Sequence, residues 1–251
     1  MSVNDLIRAG LVLLGLLAWT EPARALVCED RQHDGARYSV CTVDMAQDDL
    51  RLFLNDETGA PYGQFGAVDA ALATQGLRLA FATNGGMYHD DLSPVGHLIE
   101  DGQERMRVIP NAGPGNFGLL PNGILCIGEG RADVIETRAY LERRPACRYA
   151  TQSGPMLVID GALHRRFKAA SPSRLIRNGV GTTDDGARAI FAIANDPVNF
   201  HQFARFFRDA LGLKQALFLD GRVSRLYAPE LGRADLGWPM GPIAGVVVPA
   251  E

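Results

Sequence analysis

The sequence predicts one α/β domain, with α+β as the alternative, built on mixed sheets with helices packed on them and strand tips gathered into one cleft. Three observations lead there. Composition is that of a globular chain, 47% hydrophobic and 22% charged over 251 residues, enough for one large core. Short apolar runs bounded by Gly, Pro, Asn and Asp recur along the chain, as strands do. In the last third a stretch of helical period lies between two such runs, giving strand, helix and strand in succession.

The first 25 residues read as a leader and are set aside from the domain, residues 26–251. Arg8 precedes an apolar run from Ala9 to Trp19, short for a membrane span, and Pro22-Ala23-Arg24-Ala25 places small residues for cleavage before Leu26. The expectation is a periplasmic or secreted protein with no membrane span after cleavage. In an oxidising compartment four cysteines suggest two disulfides. Of three connectivities we favour Cys28–Cys41 and Cys126–Cys147, which close short loops, each stabilising by roughly 3 kcal/mol in the chain-entropy view. The cysteines lack the spacing of a zinc site.

Taken in order, Arg37 to Val43 and Leu50 to Leu54 are strand-like, with a turn at 55–59. Phe65, Val68 and Leu72 suit a short helix over 65–73, closed by Gly76. The run 77–83 then alternates as a strand and puts Asn84 at its tip, with Gly85-Gly86 letting backbone approach a bound group. Residues 89–97 are a loop, followed by a strand from His97 to Ile99. Gly113-Pro114-Gly115-Asn116-Phe117-Gly118 matches the dinucleotide fingerprint literally. Pro114 and the strand–turn–strand pattern after it leave no helix to hold a pyrophosphate.

Residues 131–149 are rich in arginine and carry no clear period. Residues 151–161 give a polar turn, a buried strand and a second turn. Ser153 lacks the G-x-S-x-G frame of a hydrolase elbow. Residues 171–178 read as a polar loop containing Arg174, Arg177 and Asn178. Ala187 to Ala194 is a buried strand. Asp196 and Pro197 then start a helix with apolar residues at Phe200, Phe203, Ala204, Phe207, Ala210 and Leu211, ended by Gly212. Ala216 to Leu219 is the next buried strand, ending at Asp220-Gly221. Such a unit is expected as a right-handed crossover between parallel strands, so Asn195, Asp196 and Asp220 share one sheet edge, where α/β proteins bind ligands.

Net charge is −4, which gives no footprint for nucleic acid. His89, Asp90, Asp91 and His97 form the one His/Asp cluster and match no standard metal spacing, so no cofactor is expected. What stands out is a set of polar clusters: Asn84-Gly85-Gly86, Ser153-Gly154-Pro155, Arg177-Asn178, and Asp220-Gly221 with Ser224. Together they suit a polar, anionic ligand.

These clusters carry a resemblance. Asn84-Gly85-Gly86-Met87-Tyr88, Pro121-Asn122-Gly123, Gln152 to Val158, Arg177-Asn178-Gly179-Val180-Gly181 and Ala216 to Gly221 resemble the ordered motifs of the phosphodiester glycosidase family, over about residues 37–249. The chain departs at Asp220-Gly221-Arg222-Val223-Ser224, where many members have a run of glycines between the aspartate and the serine. The resemblance implies an exported hydrolase acting on a carbohydrate joined through a sugar-1-phosphodiester. A phosphate leaving group needs positive charge more than a proton, which suits Arg177, and the oxocarbenium-like transition state needs an anion or activated water, for which Asp220 is the first candidate and Asp196 the second. Asn84, Gly85, Gly86, Ser153, Gly154, Asn178, Gly221 and Ser224 are the candidate substrate-binding positions. Two other readings stand beside this one: a non-catalytic sugar-phosphate-binding module, and a metal-dependent phosphodiesterase cutting the P–O bond.

Overall fold

The structure, a computed structural model, describes residues 26–250; the expected leader lies outside them. Among the described residues seventeen strands form three sheets, with a short helix on each. The fold is sheet-dominated and of the α+β kind.

The first sheet runs in the order Val27–His33, Ala36–Asp44, Arg188–Ala194, Asn178–Thr182, Gln215–Asp220, Met156–Ile159, Ala162–Leu163. The second runs Arg233–Ala234, Leu226–Ala228, Leu77–Asn84, Ile243–Pro249, Asp49–Phe53. The third runs Gln103–Met106, Leu98–Glu100, Tyr149–Ser153, Gly123–Gly128, Arg131–Glu136. Leu77–Asn84 is thus a strand ending at Asn84, as its alternation predicts.

One core lies between the three sheets. Cys41 and Val43 on the first sheet, Leu52 and Phe81 on the second, and Leu125 and Ile127 on the third all face it, and Phe81 meets Phe191 at 5.1 Å between ring centres. The outer face of each sheet is covered separately. Phe65–Ala73 buries Phe65, Val68 and Leu72 against Leu79 and Ala82. Thr137–Arg143 lays Tyr140 on Ile124 and Ala150. Phe203, Phe206 and Phe207 of the last helix cover Tyr38, Val40, Leu157 and Phe218.

Several elements differ from expectation. Arg188–Ala194 and Gln215–Asp220 do run in the same direction, but they are not neighbours. Asn178–Thr182 lies between them, antiparallel to both, so the crossover straddles a strand that sequence patterning does not read as one, its first residue being placed in a polar loop. Its glycines explain the misreading. A Cβ on Gly179 would stand 2.7 Å from the Leu217 carbonyl, and one on Gly181 2.7 Å from Leu213. Only hydrogen fits, although glycine is a poor strand former.

The last helix also starts later than predicted. It spans Phe200–Arg205, then widens into a π turn at Phe206–Ala210. Its cap is Asn199, whose Oδ1 accepts from Gln202 N at 2.9 Å; Asp196 is not the cap. The stretch 131–149 holds a strand and the helix Thr137–Arg143, capped by the Glu136 carboxylate. Residues 151–153, read as a polar turn, lie in Tyr149–Ser153, a strand of the third sheet that passes through Gly154-Pro155, a cis peptide, into Met156–Ile159 of the first.

Both disulfides join the expected partners. Cys28 and Cys41 face each other across a strand pair, and Cys126 joins Cys147 beyond the neighbouring strand. No helix among the described residues is long and apolar enough to cross a membrane.

Candidate active site

The three sheets meet where Asn84, Ser153 and Asp220 end their strands and Asn178 begins its own. Asn178 pairs with Asp220 in the first sheet. Its Nδ2 donates to Thr83 Oγ1 at 3.0 Å and to the Asn84 carbonyl at 3.3 Å in the second sheet. Ser153 Oγ, at the end of its strand in the third, donates to the Leu219 carbonyl at 3.1 Å. Asn84, Ser153, Asn178 and Arg177 are buried. Four separately predicted positions are therefore within one polar knot.

Asp220 organises the loop that follows it. Oδ1 accepts from the amides of Gly221 and Arg222, at 2.6 and 3.0 Å, and Oδ2 from the amide of Val223 at 3.0 Å and Asn84 Nδ2 at 3.3 Å. Asn84 closes the same loop from the other side. Its Nδ2 also donates to the Val223 carbonyl, and its Oδ1 accepts from Arg225 N at 2.8 Å. Ser224 Oγ donates to the carbonyls of Ile176 and Asp220. The missing glycines of this loop are thus offset by a carboxylate holding three successive amides.

Arg177 has a different place from the one expected. Its guanidinium lies over the Phe200 ring at 3.8 Å and near Phe218 at 5.5 Å, in contact range for a cation and an aromatic face. Nε donates to the Val198 carbonyl and Nη2 to Ser173, so the planar fork is already used by the protein. Nη1 remains buried with no partner. Burial alone moves this arginine, down to about 10, and no carboxylate is bonded to it. A buried cation without a counter-charge is costly. Beside Nη1 lies Gly221, where a Cβ would stand 3.3 Å from that nitrogen.

Among the described residues, the buried side-chain atoms without a hydrogen-bond partner are His33 Nδ1, Tyr38 Oη, Arg177 Nη1 and Asn178 Oδ1. Two of these belong to adjacent residues at the knot. They are a buried donor and a buried acceptor with unmet hydrogen-bonding capacity, whereas the other predicted polar side chains are satisfied internally.

Gly85, Gly86 and Gly154 are explained by protein contacts. A Cβ on Gly85 would stand 3.0 Å from Ala244 N, one on Gly86 2.6 Å from Thr151 Oγ1, and one on Gly154 2.7 Å from Asn122 Cβ. These glycines let sheets and loops close on one another, and their narrow space is filled. Asp196 forms a two-pronged pair with Arg37, at 2.8 and 3.1 Å, and also accepts from the Arg37 amide. That guanidinium holds its carboxyl down to about 2, and none of these bonds reaches the knot. His97 is turned into the third sheet, with Nδ1 on the Met106 carbonyl and Nε2 on Tyr140. It is far from serving a metal with the exposed His89-Asp90-Asp91 loop, and no group of three metal-ligating side chains occurs among the described residues.

Sequence reasoning did not single out Thr83, Arg225 or the aromatic cradle of Arg177. Arg225 is 5% exposed, and an arginine between a polar loop and a strand gives no sign of burial. Tyr88 closes the Asn84-Gly85-Gly86-Met87-Tyr88 motif. It is half-buried, donates to the Pro239 carbonyl at 3.2 Å, and burial with the nearby Asp220 charge pushes its hydroxyl up to about 12.

The sequence profile of the family described as phosphodiester glycosidase matches residues 78–236, which include every element of this knot. The chain belongs to that family. A relative from Escherichia coli, the uncharacterized protein YigE, is 31% identical over 186 residues, 74% of this chain and 72% of that one. Among solved structures, the zebrafish N-acetylglucosamine-1-phosphodiester alpha-N-acetylglucosaminidase catalytic domain, auto-inhibited by its pro-peptide, superposes with a TM-score of 0.59 at 14% identity, covering 88% of this chain and 81% of that one. A hypothetical protein from Synechocystis gives 0.60 at 13%, covering 89% and 62%. An exported protein from Burkholderia pseudomallei gives 0.52 at 12%, covering 84% and 74%. At such identities these structures establish the fold shared within the phosphodiester glycosidase family.

Proposed function

We propose that this phosphodiester glycosidase relative is an exported hydrolase that cleaves a sugar-1-phosphodiester at the anomeric carbon–oxygen bond. The observation that carries the reading is Arg177. Its buried, unpartnered Nη1 and uncompensated charge ask for an anion, and the backbone of Gly221 stands beside that nitrogen. A phosphodiester oxygen fits a charge-assisted bond from that nitrogen. Two disulfides support export, since such bonds persist in oxidising compartments.

In this reading water adds to the anomeric carbon, the C–O bond to phosphate breaks, and the phosphomonoester leaves. The proton lost by water goes to solvent. Arg177 takes the charge that grows on the leaving phosphate. Asp220, with both oxygens fixed by four hydrogen bonds, acts as a stationary anion beside the developing oxocarbenium, since its lone pairs are engaged and poorly suited to attack. Asn178 Oδ1 accepts from a sugar hydroxyl. Asp196, committed to Arg37, has no part in the step.

The test is hydrolysis of a sugar-1-phosphodiester in 18O-labelled water. Label in the released sugar is expected. Label in the phosphate means P–O cleavage and overturns the reading. Asp220→Asn is expected to lower kcat by about 10²–10³, the usual cost of removing one fixed electrostatic contact. The saturation of Asp220 also suits a sugar-phosphate-binding module. Binding of a sugar phosphate with no turnover across varied sugars and aglycones establishes that second reading instead.

A further inference from the structure

From Gly161 to Thr183 the chain has no acidic residue and five cations, Arg165, Arg166, Lys168, Arg174 and Arg177, in a protein of net charge −4. Arg177 is buried and the other four are exposed. None of the four has a side-chain hydrogen bond or an ion pair among the described residues. Elsewhere on the surface Arg37, Arg131, Arg148, Arg205 and Arg208 each sit against a carboxylate. The charge of 165–174 is left to solvent alone.

The segment is held, although little of it is regular structure. Asn199 Nδ2 donates to the carbonyls of Ala169 and Ser171. His164 Nε2 meets the Leu120 carbonyl at 3.1 Å, and Leu175 and Val198 exchange amide bonds. It is also joined to the candidate active site at two points. Arg177 Nη2 donates to the Ser173 carbonyl at 3.2 Å and to its hydroxyl at 3.4 Å. Ser224 Oγ donates to the carbonyls of Ile176 and Asp220, at 3.2 and 3.0 Å. The four exposed cations therefore lie on the same fixed segment that ends in Arg177 and its unpartnered Nη1.

The chemistry around the cations narrows what they meet. Between them the exposed side chains are Ala169, Ala170, Pro172 and Ser173, and Leu175 is the one exposed large apolar residue. A surface seated on a membrane couples its cations to apolar side chains that insert. Single-stranded nucleic acid asks for aromatic faces on which bases stack. The one ring of the segment, Phe167, is already stacked on His164 at 4.8 Å and on Phe200 at 5.0 Å. A chain that repeats a sugar phosphodiester needs neither. It carries one negative charge per unit, and spaced cations answer it.

We propose that Arg165, Arg166, Lys168 and Arg174 form an anion-binding rim, and that the substrate is a polymer of sugar phosphodiesters, with one linkage at Arg177 and its neighbours along 165–174. This rests on the glycosyl phosphodiester reading above and names its substrate class.

The test compares a synthetic hexamer of glucose-1-phosphodiester units with the methyl diester of glucose 1-phosphate, by calorimetry and by hydrolysis in 18O-labelled water. The hexamer is expected to bind about tenfold or more tightly, four exposed ion pairs each contributing about a factor of two. That preference is expected to fade as sodium chloride rises from about 0.05 to 0.5 M. The variant Arg165→Gln, Arg166→Gln, Lys168→Gln, Arg174→Gln is expected to erase it and to leave the affinity for the methyl diester unchanged, with the circular dichroism spectrum retained. Equal affinity for the two compounds, or a preference the variant keeps, overturns the rim and leaves hydrolysis standing. A preference the variant loses, with neither compound hydrolysed, supports the rim and sinks the hydrolase. An oligothymidylate of equal charge bound as tightly as the hexamer, or phosphatidylglycerol vesicles bound with the same dependence on the four cations, means a general anionic surface is recognised, and either overturns the proposal.

Discussion

Arg177 carries the strongest chemical demand in the molecule. It is buried, stacked on Phe200, tied by Nε and Nη2, and left with one free nitrogen. Arg177→Lys keeps a charge but loses the stacking plane and the two anchored donors. We expect kcat/KM to fall at least about 10²-fold, and phosphate to raise the melting temperature of the native chain but not of the variant; mutant kinetics and a thermal shift with and without phosphate check this. Gly221→Ala tests the space rather than the charge. The new methyl meets Phe218 at 3.0 Å and Nη1 at 3.3 Å, so phosphate affinity measured by calorimetry is expected to drop about tenfold or more while the circular dichroism spectrum is retained. At this scale the sequence was informative about which residues meet and less so about how. Asn84 and Asp220 are legible because each sits where an apolar run gives way to a polar residue, Ser153 and Asn178 because each lies in a polar cluster beside glycine. That Arg177 spends its fork on carbonyls is not legible, since Val198 and Ser173 come from segments with no pattern linking them to it.

The element that holds Arg177 is a loop, 164–176, pinned to the start of the last helix. Asn199 does this twice over: it caps the helix through Oδ1 and donates through Nδ2 to the carbonyls of Ala169 and Ser171. Phe167 stacks on Phe200 at 5.0 Å, so the aromatic floor under Arg177 continues into the same loop. Asn199→Ala loses the cap, about 1 kcal/mol, and the loop bonds besides. A loss of about 2 kcal/mol in urea unfolding is expected, with weaker phosphate binding alongside. The cap itself escaped sequence reading because Asp196-Pro197 is the stronger start signal; Asp196 went instead to Arg37, a partner 159 positions away. The glycine strand escaped for a related reason. Its residues are chosen by what lies against them, the Leu217 carbonyl and Leu213, and local propensity points the other way.

At the scale of the whole molecule, one core is shared by three sheets, and two buried histidines bear on its stability. His97 and His164 are 2% and 1% exposed, and burial holds both below the usual histidine value. Their neutral forms favour the fold, so their contribution is complete above the unfolded value of about 6.5 and is lost as pH falls from there through the folded values. The melting temperature is expected to decline below about pH 6.5, and less steeply in His164→Gln; a flat profile across pH 5–7 contradicts this. The topology also sets where a ligand is felt. The amide of Arg225 belongs to the second sheet's partner Asn84, and those of Gly221, Arg222 and Val223 to Asp220 of the first. These four hydrogens are natural isotope-exchange probes: an anion seated on Arg177 should slow their exchange together, so occupancy of a buried site becomes readable from the backbone around it.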